Sequence, residues 1–194
     1  MTTATVPPEP PTQRRFTVDE YERMVEAGVL PDEENVELLD GRIYRMSPIG
    51  SAHAACVDRL TRLLVRRVGE DAIVRIQSPI VLPPTSEPEP DVALLTPRPD
   101  GYAERHPRPG EVLLVVEVAD TSLDFDRETK LPLYARAGTP EYWVVALRDK
   151  QVHVFRTPEG EQYTTHETYG PDDEVVARTL PALDPVPVKR ILGE

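Results

Sequence analysis

The sequence contains a single cysteine, Cys56, and has no long apolar run. One cysteine excludes an internal disulfide and a cysteine-based zinc site within one chain, which fits a reducing compartment. No apolar stretch approaches the roughly 18 residues that a membrane-spanning helix needs. The N-terminus has neither the basic segment nor the apolar segment of a secretory signal. We therefore expect a cytoplasmic protein with no membrane partner.

The sequence is also poor in positive charge, with 22 Lys and Arg against 34 Asp and Glu and a formal net charge of −12. Indiscriminate binding of nucleic acid depends on neutralising phosphates with Lys and Arg, so this composition argues against that class. It does not exclude a nuclease, because the acidic residues can lie on a far face and a bound metal adds local positive charge. Phosphate-loop, GxGxxG, GxSxG and HExxH motifs are all missing.

The length and the 39% hydrophobic content are ordinary for one globular domain. Residues 1–13 contain four prolines and too few apolar side chains to fold, which predicts a disordered N-terminal arm. Residues 14–194 then form the domain. Helix patterns at 18–27 and 51–68 alternate with strand patterns and an Asp-Gly hairpin at 40–41. This order predicts a mixed α/β fold, with a central mixed sheet flanked by helices and a C-terminal antiparallel extension.

Two short runs rich in β-branched residues, 90–95 and 111–118, predict neighbouring buried strands. Each carries a carboxylate where burial is costly, Asp91 in the first and Glu117 in the second. A buried carboxylate needs a positive partner, usually a bound cation or a lysine, and Lys130 follows closely. Two acids on adjacent strands with a lysine form a divalent-metal phosphodiesterase constellation, provided that the three side chains converge.

Ordinary structural explanations compete with this interpretation. Asp91 follows a proline and could serve only as a strand-entry cap or turn residue. Glu117 and Lys130 could form a purely structural ion pair, and a lysine on a helix is by default a solvated charge. Glu37 stands beside the hairpin turn and could face solvent.

Several motifs occur in an order that carries a resemblance. They are FTVDEY at 16–21, ELLDG at 37–41, His53, PDV at 90–92, VEV at 116–118 and KLPLYARAGTPEYW at 130–143. This ordered set resembles the Uma2 family (DUF820) of predicted endonucleases, within the PD-(D/E)XK restriction-endonuclease-like superfamily. The resemblance extends from about Phe16 to Phe155. It implies a restriction-endonuclease-like core in which a sheet flanked by helices holds acidic residues over one or two divalent ions.

The resemblance also implies roles for individual residues. Asp91 corresponds to the Asp of the PD motif, Glu117 to the following acid and Lys130 to the lysine, while Glu37 is an additional acid. The lysine that the superfamily pattern expects two residues after the second acid is absent, because Ala119 stands there. Lys130 must therefore substitute for it from the following helix.

Mg²⁺ or Mn²⁺ is the cofactor that this chemistry implies. Mg²⁺ prefers hard oxygen ligands and retains several waters, so Asp91, Glu117 and the Val118 carbonyl would suffice as protein ligands. Lys130 would orient the attacking water or stabilise the phosphorane. Glu37 could bind a second ion or a metal-bound water.

Other side chains are weaker candidates. His53 and Gln77 are possible site-lining residues, although His53 begins an apolar helix stripe where a structural histidine is common. A row of arginines on the same helix is either a solvated face or a set of phosphate contacts; its members are Arg59, Arg62 and Arg66.

Three functions remain open from the sequence. The first is a Mg²⁺-dependent endonuclease acting on DNA. The second is a catalytically silent binding or regulatory protein with the nuclease fold, which the charge of −12 favours. The third is a metal-dependent hydrolase of a smaller phosphate ester. A homodimer is expected, because cutting both strands of a duplex is easier with two sites.

Overall fold

The computed structural model describes residues 12–31, 34–180 and 184–194. The predicted disordered arm lies outside the described residues except for positions 12 and 13. The helices are α1 (Val18–Glu26), α2 (Ser51–Val68), α3 (Leu123–Phe125), a π-helix (Asp126–Lys130), α4 (Leu131–Arg136) and α5 (Val188–Leu192). The strands are β1 (Val36–Leu39), β2 (Arg42–Arg45), β3 (Ile73–Ile76), β4 (Val92–Leu95), β5 (Val112–Ala119), β6 (Glu141–Ala146), β7 (Gln151–Glu159), β8 (Gln162–Tyr169), β9 (Glu174–Val175) and β10 (Val186–Pro187).

A six-stranded mixed sheet in the order β3-β4-β5-β6-β7-β8 forms the centre of the molecule. All neighbouring strands are antiparallel except β5 and β6, which run parallel. Parallel strands require a crossover connection, and here α3, the π-helix and α4 provide it. The predicted α/β fold with a mixed sheet is confirmed. Its antiparallel C-terminal part is β7–β8, continuous with the central sheet, and a separate β9–β10 pair.

Alternation along β4 and β5 divides the core between the two faces of the sheet. Val92, Leu94 and Val116 belong to the cluster that packs under α2 and α5. Ala93 and Val115 belong to the cluster that packs under the crossover helix. Since neighbouring residues of a strand point to opposite faces, Glu117 lies on the crossover side. The position of Lys130 on that crossover therefore brings it to the same face.

The hairpin of β1 and β2 has the register that the Asp-Gly turn predicted, with Leu38 opposite Ile43 and Glu37 opposite Tyr44. Asp40 and Gly41 have φ values of 49° and 73°, the left-handed conformation that a two-residue hairpin turn requires. This register turns Glu37 inward, where it is buried rather than exposed to solvent.

Helix α2 buries the predicted apolar stripe, and the first arginine of its row, for which a solvated face and a phosphate contact were both open, has a structural role. Arg59 donates from Nε to the Ile191 carbonyl at 2.8 Å and from Nη2 to the Leu192 carbonyl at 2.9 Å. These carbonyls end helix α5, where a cation is favourable. Arg62 and Arg66 are exposed.

Two local expectations are wrong. The helical spacing of Tyr21, Met24 and Val25 predicts that they share the apolar face of α1, but Val25 is 39% exposed and the helix buries Val18 and Tyr21 instead. The apolar run of residues 80–82 predicts a strand, but of these three only Leu82 forms an isolated bridge, with Ser86, inside a proline-rich loop. Prolines lack the N–H that a continuous ladder needs.

None of the helices in the described residues is both long and apolar enough to span a membrane.

Candidate active site

Asp91 and Glu117 meet where β4 begins and β5 approaches its end. Asp91 Oδ2 accepts a hydrogen bond from the Val118 backbone N–H at 2.8 Å, and the Asp91 N–H donates to Glu117 Oε2 at 3.4 Å. Both side chains are buried. The two strands pair directly at Val92 and Val116, one residue from each acid, which explains the convergence.

A π-helix presents the lysine. The Leu131 N–H bonds to the Asp126 carbonyl five residues earlier, which defines the wider π turn over Asp126–Lys130. Pro132 follows immediately as the second residue of α4, and a proline lacks an N–H and clashes with the carbonyl four residues before it. A wider turn accommodates both defects, so the helix continues past Pro132. Such turns are frequent at functional sites.

Lys130 contacts one acid from each of two sheets, Glu37 on the β1–β2 hairpin and Glu117 on the central sheet. Its Nζ donates to Glu117 Oε1 at 3.0 Å and to Glu37 Oε1 at 3.2 Å. Glu37 Oε2 lies 3.1 Å from the same ammonium, so both oxygens of this buried carboxylate contact Lys130. All three side chains are buried. The predicted convergence of the two strand acids, the lysine and the hairpin acid is therefore present in the structure.

His53 and Gln77 both contact Asp91. His53 Nε2 lies 2.9 Å from Asp91 Oδ2, and Gln77 Nε2 donates to Asp91 Oδ1 at 3.4 Å. The hydrogen bond to Asp91 raises the pKa of His53 despite partial burial. Gln77 has a φ of 42°, in the left-handed region that a non-glycine residue seldom adopts. Both residues line the site, as the sequence suggested.

Two important side chains were missed from the sequence. The Tyr134 hydroxyl donates to Glu117 Oε1 at 2.8 Å, and buried Asp126 accepts from the Ser122 hydroxyl at 2.7 Å. Asp126, Lys130 and Tyr134 follow one another at intervals of four residues, which places side chains on one face of a helix. That spacing was the available signal.

The electrostatic balance of the site is strongly negative. Burial raises the pKa of Glu117 to about 8 and that of Asp126 to about 6. Burial also raises the pKa of Glu37, although the ammonium of Lys130 opposes this effect. Burial disfavours the charged form of Lys130, but the surrounding carboxylates outweigh it and raise the pKa of Lys130 overall.

These side chains open into a cavity of about 760 Å³ between the hairpin, the sheet and the crossover helix. Among the described residues, the basic side chains that line it are Arg45 and Lys130. Six acids line it as well: Glu37, Glu89, Asp91, Glu117, Asp120 and Asp126. Such a cavity attracts a cation, and it would repel a phosphate unless a cation were bound.

The donors fit a metal that keeps water in its coordination shell. Within the described part of the chain, no three His, Cys, Asp or Glu side chains are arranged to hold one ion. The Ala119 carbonyl accepts from Leu147 on the β6 side, so the preceding carbonyl, Val118, faces the opposite edge, where Asp91 lies. Two carboxylates and one carbonyl with completing waters suit Mg²⁺ and not a closed zinc site.

The mixed sheet, its crossover helix and the acid pair facing a lysine define an α/β protein of the restriction-endonuclease-like class. Residues 18–189 match the Uma2 family, described as "Putative restriction endonuclease", and the chain belongs to this family. The crystal structure of a "putative nuclease belonging to DUF820" from Anabaena variabilis is similar, with a TM-score of 0.73 and 19% sequence identity. That similarity covers 92% of this chain and 98% of the other. Among curated proteins, no significant match was found.

Proposed function

We propose that the protein is a Mg²⁺- or Mn²⁺-dependent endonuclease that hydrolyses phosphodiester bonds in DNA. The observation that carries this proposal is the convergence of Asp91, Glu117 and Lys130 at one acidic cavity. Membership of a family described as "Putative restriction endonuclease" supports the same reaction class. A structural ion pair alone would not require Asp91 and Asp126 beside it, because each further buried carboxylate costs stability.

Asp91, Glu117 and the Val118 carbonyl would hold the ion. Asp91 Oδ1 and Glu117 Oε2 are the freer oxygens, since each makes only a 3.4 Å contact. Bound Mg²⁺ supplies positive charge to the phosphate and acidifies a water molecule. The second oxygen of each acid, Asp91 Oδ2 and Glu117 Oε1, accepts hydrogen bonds from protein donors. These bonds fix the direction of both carboxylates.

Lys130 and Glu37 would act beside the ion. The ammonium is positioned by Glu117 and Glu37, and in that position it can orient the attacking water or stabilise charge on the phosphorane. Glu37, whose Oε2 lies 3.1 Å from the same ammonium, can accept a hydrogen bond from that water or bind a second ion. His53 and Gln77 hold Asp91 and line the substrate side of the cavity.

Hydrolysis of a smaller phosphate ester is the second candidate. It is favoured by the lining itself, in which Arg45 and Lys130 face six acids, so a long polyanion gains little from the cavity walls. A free phosphate monoester would need only the metal-neutralised centre.

Nicking of supercoiled plasmid with Mg²⁺ or Mn²⁺, against EDTA, tests the proposal. We expect metal-dependent nicking by the wild type and a loss of at least about 100-fold in Asp91→Asn and Lys130→Met. Glu159→Gln, an exposed change on β7, is the matched control and should cleave normally.

Equal nicking by wild type and Asp91→Asn would indicate a contaminating nuclease and contradict the assignment. Hydrolysis of p-nitrophenyl phosphate without nicking would favour the smaller ester. Inactivity on both substrates, with intact folding, would favour the catalytically silent binding protein. We also propose a homodimer, which light scattering during gel filtration will show as twice the mass of the 21.8 kDa chain.

A further inference from the structure

A second cavity, of about 580 Å³, lies between helix α1 and the loops at 80–90 and 100–110. Residues 86–91 separate it from the active-site cavity, because Glu87 lines the second cavity whereas Glu89 and Asp91 line the first. Its volume is within the range of small-molecule sites.

Glu87 is the unusual residue of this second cavity. It is 7% exposed, and its Oε2 is fully buried without a hydrogen-bond partner among the described residues. Burial, with the nearby charges of Glu22 and Glu89, raises the pKa of Glu87 to about 7. A buried carboxyl group without donors is costly, so its presence calls for a partner.

The cations near Glu87 do not supply that partner. Arg105 donates both guanidinium nitrogens to Glu111, at 2.7 and 2.5 Å. Three further acids line the cavity and are exposed: Glu22, Glu26 and Glu104. Arg108 also lines the cavity and is exposed, so the rim carries three acids and two arginines around one inner carboxylate.

The remaining walls favour an organic cation over a metal ion. Tyr21, Val25 and Val81 give an aliphatic and aromatic surface beside the carboxylate, and Val25 is 39% exposed. An alkyl chain can pack on such a surface while its charged end reaches the carboxylate.

We propose that this cavity binds an alkylammonium group, with Glu87 as the inner carboxylate and Glu22 at the rim. Either a free polyamine or a lysine side chain of a partner polypeptide carries this chemistry. The site is separate from the catalytic centre and does not depend on the protein being a nuclease.

Calorimetric titration of the full chain at low salt tests the proposal, with spermidine, n-butylamine and N-acetyl-lysine methylamide as probes. We expect saturable binding that weakens about tenfold or more in Glu87→Gln and less in Glu22→Gln. Glu159→Gln removes the same charge from exposed β7 and should bind like the wild type. Circular dichroism will confirm that each variant is folded.

Tighter binding of spermidine would indicate the free polyamine, and tighter binding of the lysine amide would indicate a polypeptide; either supports the site. Unchanged binding by Glu87→Gln, or equal binding of n-butanol, would overturn it. Binding lost in Asp91→Asn but kept in Glu87→Gln would assign the amine to the catalytic cavity and also overturn it. Displacement of the amine from Glu87 by Mg²⁺ alone would do the same.

Discussion

Replacing Lys130 with methionine gives the most direct measure of the charge balance in the active site. The ammonium lies 3.0 Å from Glu117 and 3.2 Å from Glu37, and all three groups are buried. At an effective dielectric constant near 20, each contact corresponds to a gross attraction of about 5 kcal/mol. Much of this offsets the cost of burying the charges, and removing one partner of such a pair typically destabilises by about 3–5 kcal/mol.

The loss should depend on pH, and its sign follows from protonation. Burial raises the folded-state pKa of Glu117 to about 8, so the folded protein favours the protonated carboxyl. The resulting stability is fully present at pH values below the ordinary pKa of a glutamate and is lost as pH rises towards 8. Without the ammonium, Glu117 and Glu37 bind protons more tightly. Lys130→Met should therefore lose about 3–5 kcal/mol at pH 8.5 but less than about 2 kcal/mol at pH 5.5.

Urea unfolding followed by circular dichroism in EDTA will measure these differences. Lys150→Met is the matched control, because Lys150 forms an exposed ion pair with Glu194 that should contribute less than about 1 kcal/mol at either pH. An equal loss at both pH values in Lys130→Met would refute the reasoning, since it would mean that the buried carboxylates do not take up protons to compensate.

Three other changes test neighbouring groups. Tyr134→Phe removes the tyrosine hydroxyl that donates to Glu117 Oε1, so we expect the free energy of unfolding to fall by about 1 kcal/mol and nicking to need more Mg²⁺. An unchanged Mg²⁺ requirement would contradict the role of Tyr134 in orienting Glu117. Glu87→Gln should raise the free energy of unfolding by about 2 kcal/mol at about pH 8 and have little effect at about pH 4.5. Burial raises the pKa of Glu87 to about 7, so the folded protein loses stability as pH rises above the ordinary pKa of a glutamate, and a glutamine does not carry this cost. No gain in stability towards urea at the higher pH would contradict the burial cost. Mg²⁺ at about 100 times its Kd should stabilise the wild type by about 2.7 kcal/mol in thermal unfolding but not Asp91→Asn, and equal stabilisation would place the ion elsewhere.

Local patterns were sufficient for much of the fold. The Asp40-Gly41 turn determined the hairpin register, and the apolar stripe of 51–68 predicted α2 with its bounds. The chain order of β5, crossover and β6 predicted a mixed sheet. These features depend on backbone conformation and side-chain periodicity over a few residues, which the sequence displays directly.

The candidate site was only partly predictable. Asp91 and Glu117 stood out because each interrupts an apolar run, and Lys130 followed closely as a positive partner. The resemblance added Glu37. Asp126 escaped notice although it is spaced four residues from Lys130, since a polar helix segment ordinarily faces solvent. Here Asp126 lies in the π turn before Pro132 and is buried.

The sequence alone therefore determined the elements, the mixed sheet and the residue types of a metal-binding acid pair, because these follow from short-range pattern and from the cost of placing charge in an apolar strand. Tertiary structure decided which charges meet. Lys130 reaches Glu37 across 93 residues of chain, Arg59 is used to hold the end of α5, and Glu87 is buried beside other acids. Such contacts depend on packing between distant segments, and no local pattern encodes the distance between two side chains.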